Sequence, residues 1–252
     1  MQLFSLQGKN ALVTGASRGL GQAIAIGLAK AGAHVICSSS KAGGTSKTIE
    51  LIQQAGGSAI ELTADLSCEQ SVTQLAQRVT ESVGVLDILV NNGGTIARHP
   101  AVDFPLDEWK HVMNVNIDSV FMLSQLLGKE MVKAGKGKIV NIASMLSFTG
   151  GITVPAYTAS KHAVVGLTKA LANEWAQHNV QINAIAPGYF KTDNTQALQD
   201  NPERNQEILK RIPAAQWGEP EQLVGAAVFL ASSASDYVNG HVLAVDGGWL
   251  AR

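Results

Sequence analysis

Short apolar, β-branched runs alternate with longer stretches of helical periodicity from one end of the chain to the other. The runs at residues 10–13, 34–37, 59–63, 86–90, 138–142, 181–186 and 241–245 are almost continuously apolar. That pattern suits strands covered on both faces, as in a parallel sheet. Between them apolar residues recur at helical spacing, as in 22–31 after the first strand and in a longer stretch reaching about Ala176 after the fifth. Ser67 and Gln70 read as a capping box opening a helix through Val83, the serine oxygen accepting from an amide three places on. Pro220, after Glu219, reads as a first helical position, where proline loses no donor. Repeated strand–helix–strand units require right-handed crossovers and so a doubly wound parallel sheet of about seven strands. No linker, repeat or composition shift divides it, and residues 1–252 are expected to form a single α/β domain. The least regular part, 189–218, follows the sixth strand and is expected to be a lid over a substrate.

The first strand runs into Thr14-Gly15-Ala16-Ser17-Arg18-Gly19-Leu20-Gly21. Three glycines at a strand–helix junction let the backbone turn sharply and approach a pyrophosphate, which then meets the helix amides and the positive end of the dipole. The spacing G-x-x-x-G-x-G lacks the Gly-Lys-Ser/Thr ending of a nucleotide triphosphatase loop. An acid about 20 residues further on usually accepts from the ribose of NAD. Here Ser39 stands at that place in Cys37-Ser38-Ser39-Ser40-Lys41, with no acidic neighbour. With no carboxylate to repel a 2′-phosphate, and with Arg18 and Lys41 as candidate cations, NADP is expected in preference to NAD.

Tyr157 and Lys161 are four residues apart and so share one helix face. A neighbouring ammonium stabilises phenolate, which is expected to lower the pKa of Tyr157 and fit it for proton transfer. Ser144 follows the fifth strand, so its hydroxyl falls at the carboxyl edge of the sheet, where ligands bind in such folds. Each feature alone is ordinary. Together with the glycine turn they converge on one site for a ketone or its alcohol.

Composition narrows the alternatives. Hydrophobic residues make up 46% and charged residues 15% of the chain, as in a globular enzyme. A formal charge of −1 with no basic run leaves no electrostatic footprint for nucleic acid or an anionic membrane. Recognition of an acidic substrate must then come from a few local cations. No apolar run approaches the ~18 residues of a membrane span, and no leader pattern opens the chain, so a cytoplasmic location is expected. Cys37 and Cys68 form no CxxC pair and are expected to be reduced and structural. The six histidines lack metal-ligand spacing, and Ala143-Ser144-Met145 is no G-x-S-x-G elbow, which sets metal and serine-hydrolase chemistry aside.

The whole chain resembles the short-chain dehydrogenase/reductase family. The matching elements are Thr14 to Gly21, Asn91-Asn92-Gly93-Gly94, Asn116, Ser144, Tyr157-x-x-x-Lys161 and Pro187-Gly188. The resemblance implies a Rossmann-type fold, a homotetramer, and Tyr157 as proton donor and acceptor. It also implies Ser144 as orienter of the substrate oxygen, Lys161 as ribose ligand, and Asn116 as holder of a relay water. It assigns the cofactor to Gly15, Arg18, Gly19, Leu20, Asp65, Leu66, Asn92 and Thr192, with Tyr157 and Lys161. The residues themselves add Ser17 and Gly21 in the glycine turn, Ser39 and Lys41 after the second strand, and Pro187 and Gly188 after the sixth. Gly93 departs from the family's usual alanine, a missing methyl expected to loosen local packing. The runs Asn141 to Gly151, Phe229 to Gly240 and Val245 to Arg252 resemble members acting on deoxy sugar acids, with reductases of carrier-protein-bound ketones as the competing reading. A sugar acid needs a cation for its carboxylate. Arg98 is the first candidate, then Lys191, Arg204 and Arg211, while Met145, Tyr189 and Trp217 are expected to line the pocket.

Overall fold

The computed structural model describes residues 2–252. Seven strands form one all-parallel sheet: β1 (Asn10–Thr14), β2 (His34–Ser38), β3 (Ser58–Glu61), β4 (Ile88–Asn91), β5 (Gly137–Ile142), β6 (Val180–Pro187) and β7 (Val242–Val245). Their order is 3-2-1-4-5-6-7, so the winding reverses at the β1/β4 boundary and opens a crevice at the carboxyl ends of the strands. The expected doubly wound, Rossmann-type sheet is the one observed, with each strand within a residue or two of its apolar run.

Strand side chains alternate between two cores. Ala11, Val13, Ile88 and Val90 face one layer, which holds α1 (Gly19–Lys30) and α9 (Val224–Ala231). Leu12 and Leu89 face the other, made by α3 (Glu69–Val83), α5 (Ser119–Ala134) and α6 (Pro155–Trp175). Full burial of a Leu or Ile side chain stabilises by about 1.5–3 kcal/mol, so both layers clamp the sheet. The short helices α2 (Ser46–Gln54) and α4 (Leu106–Met113) complete the β2–β3 and β4–β5 crossovers.

Two local expectations met different fates. Pro220 is the first residue of a 3-10 turn that runs into α9, and the Glu219 amide donates to Gln222 Oε1 at 2.8 Å, as a helix start there requires. Ser67 does not cap α3. Its hydroxyl donates to Asp65 Oδ1 at 2.7 Å, and the helix begins after Cys68, because the carboxylate is the stronger local acceptor.

Residues 189–218 are more ordered than their pattern suggested. They hold α7 (Gln196–Gln199) and α8 (Pro202–Arg211), and a parallel bridge between Phe190 and Gly218 closes the segment at its base. Asn201 caps α8 by accepting from the Arg204 amide at 3.0 Å. Ile208 and Ile212 pack with Met145, Trp217 and Trp249 into an apolar cluster separate from the two main cores. Among the described residues, no helix is long and apolar enough to cross a membrane.

Candidate active site

A cleft of about 1180 Å³ runs along the carboxyl edge of the sheet, from the glycine turn to the α8 segment. Single small-molecule sites occupy about 300–1,000 Å³, so a dinucleotide and a second small molecule fit together. The glycine turn forms one end. Gly15 has φ +64°, and a methyl on Gly21 would stand 2.2 Å from the Gly15 carbonyl oxygen, so neither position admits a side chain. Asn92 fastens this turn to β4, its Nδ2 donating to the Thr14 and Gly15 carbonyls at 2.9 and 3.1 Å. Thr14 Oγ1 accepts from the amides of Asn92 and Gly93 at 3.0 and 2.9 Å. The turn is thus pinned close against β4 and leads into the amino end of α1, whose first amides can meet a pyrophosphate.

Ser17, Arg18, Gly19, Leu20, Ser39, Asp65, Leu66, Pro187, Gly188 and Thr192 all line the cleft. Lys41 does not. The Ser39 hydroxyl donates to the Lys41 carbonyl at 3.0 Å, turning the chain so that the lysine lies exposed outside the wall. Arg18 forms an exposed ion pair with Asp193 at 3.0 Å, bridging the glycine turn and the segment after β6. Glu61, at the end of the neighbouring strand, accepts from the amides of Gly43 and Thr45 at 2.7 and 2.9 Å and from the Thr45 hydroxyl. Those bonds hold its carboxyl below the usual range. The missing methyl at Gly93 leaves no slack, because the space is filled by Leu66 Cδ1.

Ser144, Tyr157 and Lys161 meet in the middle of the cleft. Pro155 opens α6, which carries the tyrosine and lysine on one face. Lys161 Nζ donates to the Ile142 carbonyl at 2.7 Å, and Ser147 Oγ donates to the Lys161 carbonyl at 2.7 Å, tying α6 to the loop that bears Ser144. Ser144 Oγ accepts from the Leu146 amide at 3.1 Å. Beneath them a buried chain runs from Ser124 through Asn91 and Asn141 to Thr168, fixing α5 and α6 against β4 and β5.

The electrostatics differ from the expectation in one respect. Removal from water pushes the Tyr157 phenol above its ordinary value, while the Ser144 hydroxyl and the charge of Arg98 pull it down. Lys161 is not among the groups that lower it. Burial brings the Lys161 ammonium down to about 8, and its nitrogen, 5.7 Å from the tyrosine ring centroid, is turned to Ile142. Asn116 is fully buried in a π-helical turn, Asn114–Asp118. Its side-chain oxygen accepts from the Thr95 amide at 2.8 Å, and its nitrogen donates to the Thr95 carbonyl and Ser160 Oγ at 2.9 and 3.1 Å.

At the far end Arg98, Met145 and Tyr189 line the cleft, with Arg204 and Arg211. Trp217 does not. It lies behind Tyr189, its ring edge-on at 5.2 Å, with its indole N–H donating to Asn205 Oδ1 at 2.8 Å. Trp249, from the tail after β7, lines the cleft instead and also packs on Tyr189, at 5.0 Å. Nothing in the sequence pattern separates the two tryptophans. Lys191 is turned to Glu219, away from the cleft. Among the described residues, no group of three or more His, Cys, Asp or Glu side chains is placed to hold a metal ion.

A family profile described as enoyl-(acyl carrier protein) reductase matches residues 15–250. The 2-dehydro-3-deoxy-D-gluconate 5-dehydrogenase of Bacillus subtilis (strain 168) is 56% identical over 249 residues, 99% of this chain and 97% of the relative. The chain belongs to the short-chain dehydrogenase/reductase family. It is an NAD(P)-dependent oxidoreductase acting on CH–OH groups. The Escherichia coli (strain K12) 2-dehydro-3-deoxy-D-gluconate 5-dehydrogenase is 53% identical over 253 residues, 100% of this chain and 99% of the relative. Among solved structures, the gluconate 5-dehydrogenase from Burkholderia cenocepacia J2315 in complex with NADP and tartrate is 39% identical with a TM-score of 0.95. It is matched over 100% of this chain and 98% of that one. Within the short-chain dehydrogenases, then, this chain sits among relatives named for sugar acids.

Proposed function

We propose that the protein interconverts a secondary alcohol and a ketone on a deoxy sugar acid, as a 2-dehydro-3-deoxy-D-gluconate 5-dehydrogenase. NADP is its preferred carrier. The observation that carries this reading is the meeting of Ser144, Tyr157 and Lys161 with the guanidinium of Arg98 in one cleft. The names of the relatives support the substrate class. Arg18 and the serine-rich end of β2 line the same cleft, and Glu61 is occupied elsewhere, which supports NADP.

When bound, the nicotinamide supplies or accepts the hydride. In the reductive direction Tyr157 delivers a proton to the carbonyl oxygen while Ser144 donates a hydrogen bond to it, so charge developing there is met from both sides. Lys161, cationic below about pH 8 and held by the Ile142 carbonyl, would serve as a ligand to the ribose of the bound carrier. Both hydrogens of Asn116 Nδ2 are engaged, by Thr95 and Ser160, while Oδ1 accepts a single bond and could take a relay water as a second donor, in a type of turn that recurs at functional sites. Arg98 takes the substrate carboxylate, Met145 and Tyr189 shape the pocket, and 189–218 covers it. The protein works in the cytoplasm as a homotetramer, for which exposed Phe121 on α5 supplies an apolar contact.

The test is a panel of 2-dehydro-3-deoxygluconate, 4-deoxy-5-hexoseulose uronate, gluconate and carrier-bound 3-oxoacyl substrates, each with the NADP and NAD couples. Highest kcat/KM on a deoxy sugar acid with the NADP couple is expected. Highest kcat/KM on an acyl substrate, or no turnover of any sugar acid, would overturn the reading.

A further inference from the structure

Five cations stand along or beside the cleft, Arg18 at the glycine turn and the others toward the far end, and their partners sort them. Arg18 is paired with Asp193 at 3.0 Å, Arg204 with Glu207 at 2.8 Å, and Lys191 with Glu219. Arg98 and Arg211 have no carboxylate partner among the described residues. Arg98 makes one long contact, from its Nη2 to the Asn194 carbonyl at 3.5 Å. Arg211, in the last turn of α8, lies with its guanidinium carbon 4.1 Å from the centroid of the Trp249 ring.

We infer that Arg211, held on the ring face of Trp249, joins Arg98 in gripping the carboxylate, so that the C-terminal segment 246–252 sets the selectivity of the cleft for acids. The inference rests on the proposed sugar-acid reading and names a second binding residue and a positioning residue for it. A guanidinium stacked on an aromatic ring keeps its N–H edges free for a bidentate carboxylate. Trp249 can hold it because it is itself fixed: the residue is 7% exposed and its ring packs on Tyr189 at 5.0 Å.

The tail that presents Trp249 is folded back by specific bonds. Asp246 accepts from the Gly248 and Leu250 amides at 2.8 and 2.9 Å, and the Ala214 amide donates to the Gly247 carbonyl at 3.0 Å. Arg252 then donates to the Lys210 and Arg211 carbonyls at 2.6 and 3.3 Å, satisfying the end of α8 with a charge its dipole favours. The tail and the helix end thus hold each other, and Arg211 is where they meet. The Tyr189 phenol lies in the fields of Arg98, Arg204 and Arg211, and Tyr157 in that of Arg98 alone.

The experiment compares kcat/KM for the sugar acid and for a neutral ketose or polyol of the same carbon count, in wild type and in Arg211→Ala, Arg211→Lys, Trp249→Ala and Trp249→Phe. Thermal melting and NADP titration report on folding and on the cofactor end. Arg211→Ala is expected to lower kcat/KM for the acid about 10–100-fold, the scale of a lost charge-assisted contact, through KM rather than kcat. The neutral substrate and NADP affinity stay within about threefold. Arg211→Lys recovers part of the loss. Trp249→Ala repeats the acid-selective loss, and Trp249→Phe, which keeps a ring face, restores it. Equal losses on both substrates, or an unchanged acid KM in Arg211→Ala, would overturn the inference while a wild-type preference for acids left the sugar-acid reading standing. A wild type indifferent to the carboxylate would overturn both.

Discussion

Leu66 Cδ1 lies 2.3 Å from the point where a methyl group on Gly93 would stand. The glycine departs from the family's usual alanine, and the leucine occupies the space so released, forming part of the cleft wall between the ends of β3 and β4. Gly93→Ala is therefore expected to push the Leu66 side chain into the cleft, costing about 1 kcal/mol or less and weakening cofactor binding. Adding Leu66→Val to the same chain should recover most of both losses. Thermal melts and NADP titrations of the single and double variants check it; an additive double variant would show that the two residues do not share the space.

Tyr157→Phe removes one hydroxyl and leaves the ring in α6. Turnover should fall by at least about 10²–10⁴-fold, the range of a lost general acid, while NADP affinity measured by fluorescence stays near wild type. Retained turnover would remove Tyr157 from the proton path.

Ser39→Asp places a carboxylate at the end of β2, where Glu61 of the neighbouring strand is spent on the Gly43–Thr45 backbone. The ratio of kcat/KM with NADP to that with NAD should drop by roughly tenfold or more, since an acid there accepts from a ribose hydroxyl and repels a phosphate. An unchanged ratio would place the 2′-phosphate elsewhere.

Lys161 lies buried, with its ammonium brought down to about 8 from an ordinary value near 10.5. Between those two pH values the unfolded chain binds the extra proton and the folded chain does not, so stability of the ligand-free protein rises with pH across that window. The gain levels off above it, and below about pH 8 the burial penalty is fully felt. Lys161→Met should flatten this dependence, whose full span is on the order of 3 kcal/mol. Denaturant melts at pH 7 and pH 10 measure it.

The two thiols differ in reach. Cys37 is buried and its thiol is pushed up to about 12, by burial first and by Glu61 second, whereas Cys68 is exposed. Brief treatment with iodoacetamide at pH 8 should modify Cys68 alone, read by peptide mass spectrometry.

The strands were legible because a run such as Leu12 to Val13 or Leu89 to Val90 is buried from both sides and admits little besides apolar side chains. The glycine turn and the Tyr157–Lys161 spacing were legible for a related reason, since backbone approach and a shared helix face are local consequences of residue type and interval. The capping of α3 was not. Asp65 competes for Ser67, and hydrogen-bond competition depends on geometry that a four-residue pattern does not contain.

The sequence by itself thus determined the order of elements, the doubly wound sheet and the central group of Ser144, Tyr157 and Lys161, because periodicity and short spacings act along the chain. Tertiary structure alone decided the rest of the cleft. It put Trp249 rather than Trp217 against the substrate end, and turned Lys191 and Lys41 away. By pairing Arg18 with Asp193 and Arg204 with Glu207, it left Arg98 and Arg211 as the guanidiniums with charge to spare. Whether a cation is free depends on which carboxylates the fold brings within a few ångströms of it, and that is settled by packing between segments far apart in the chain.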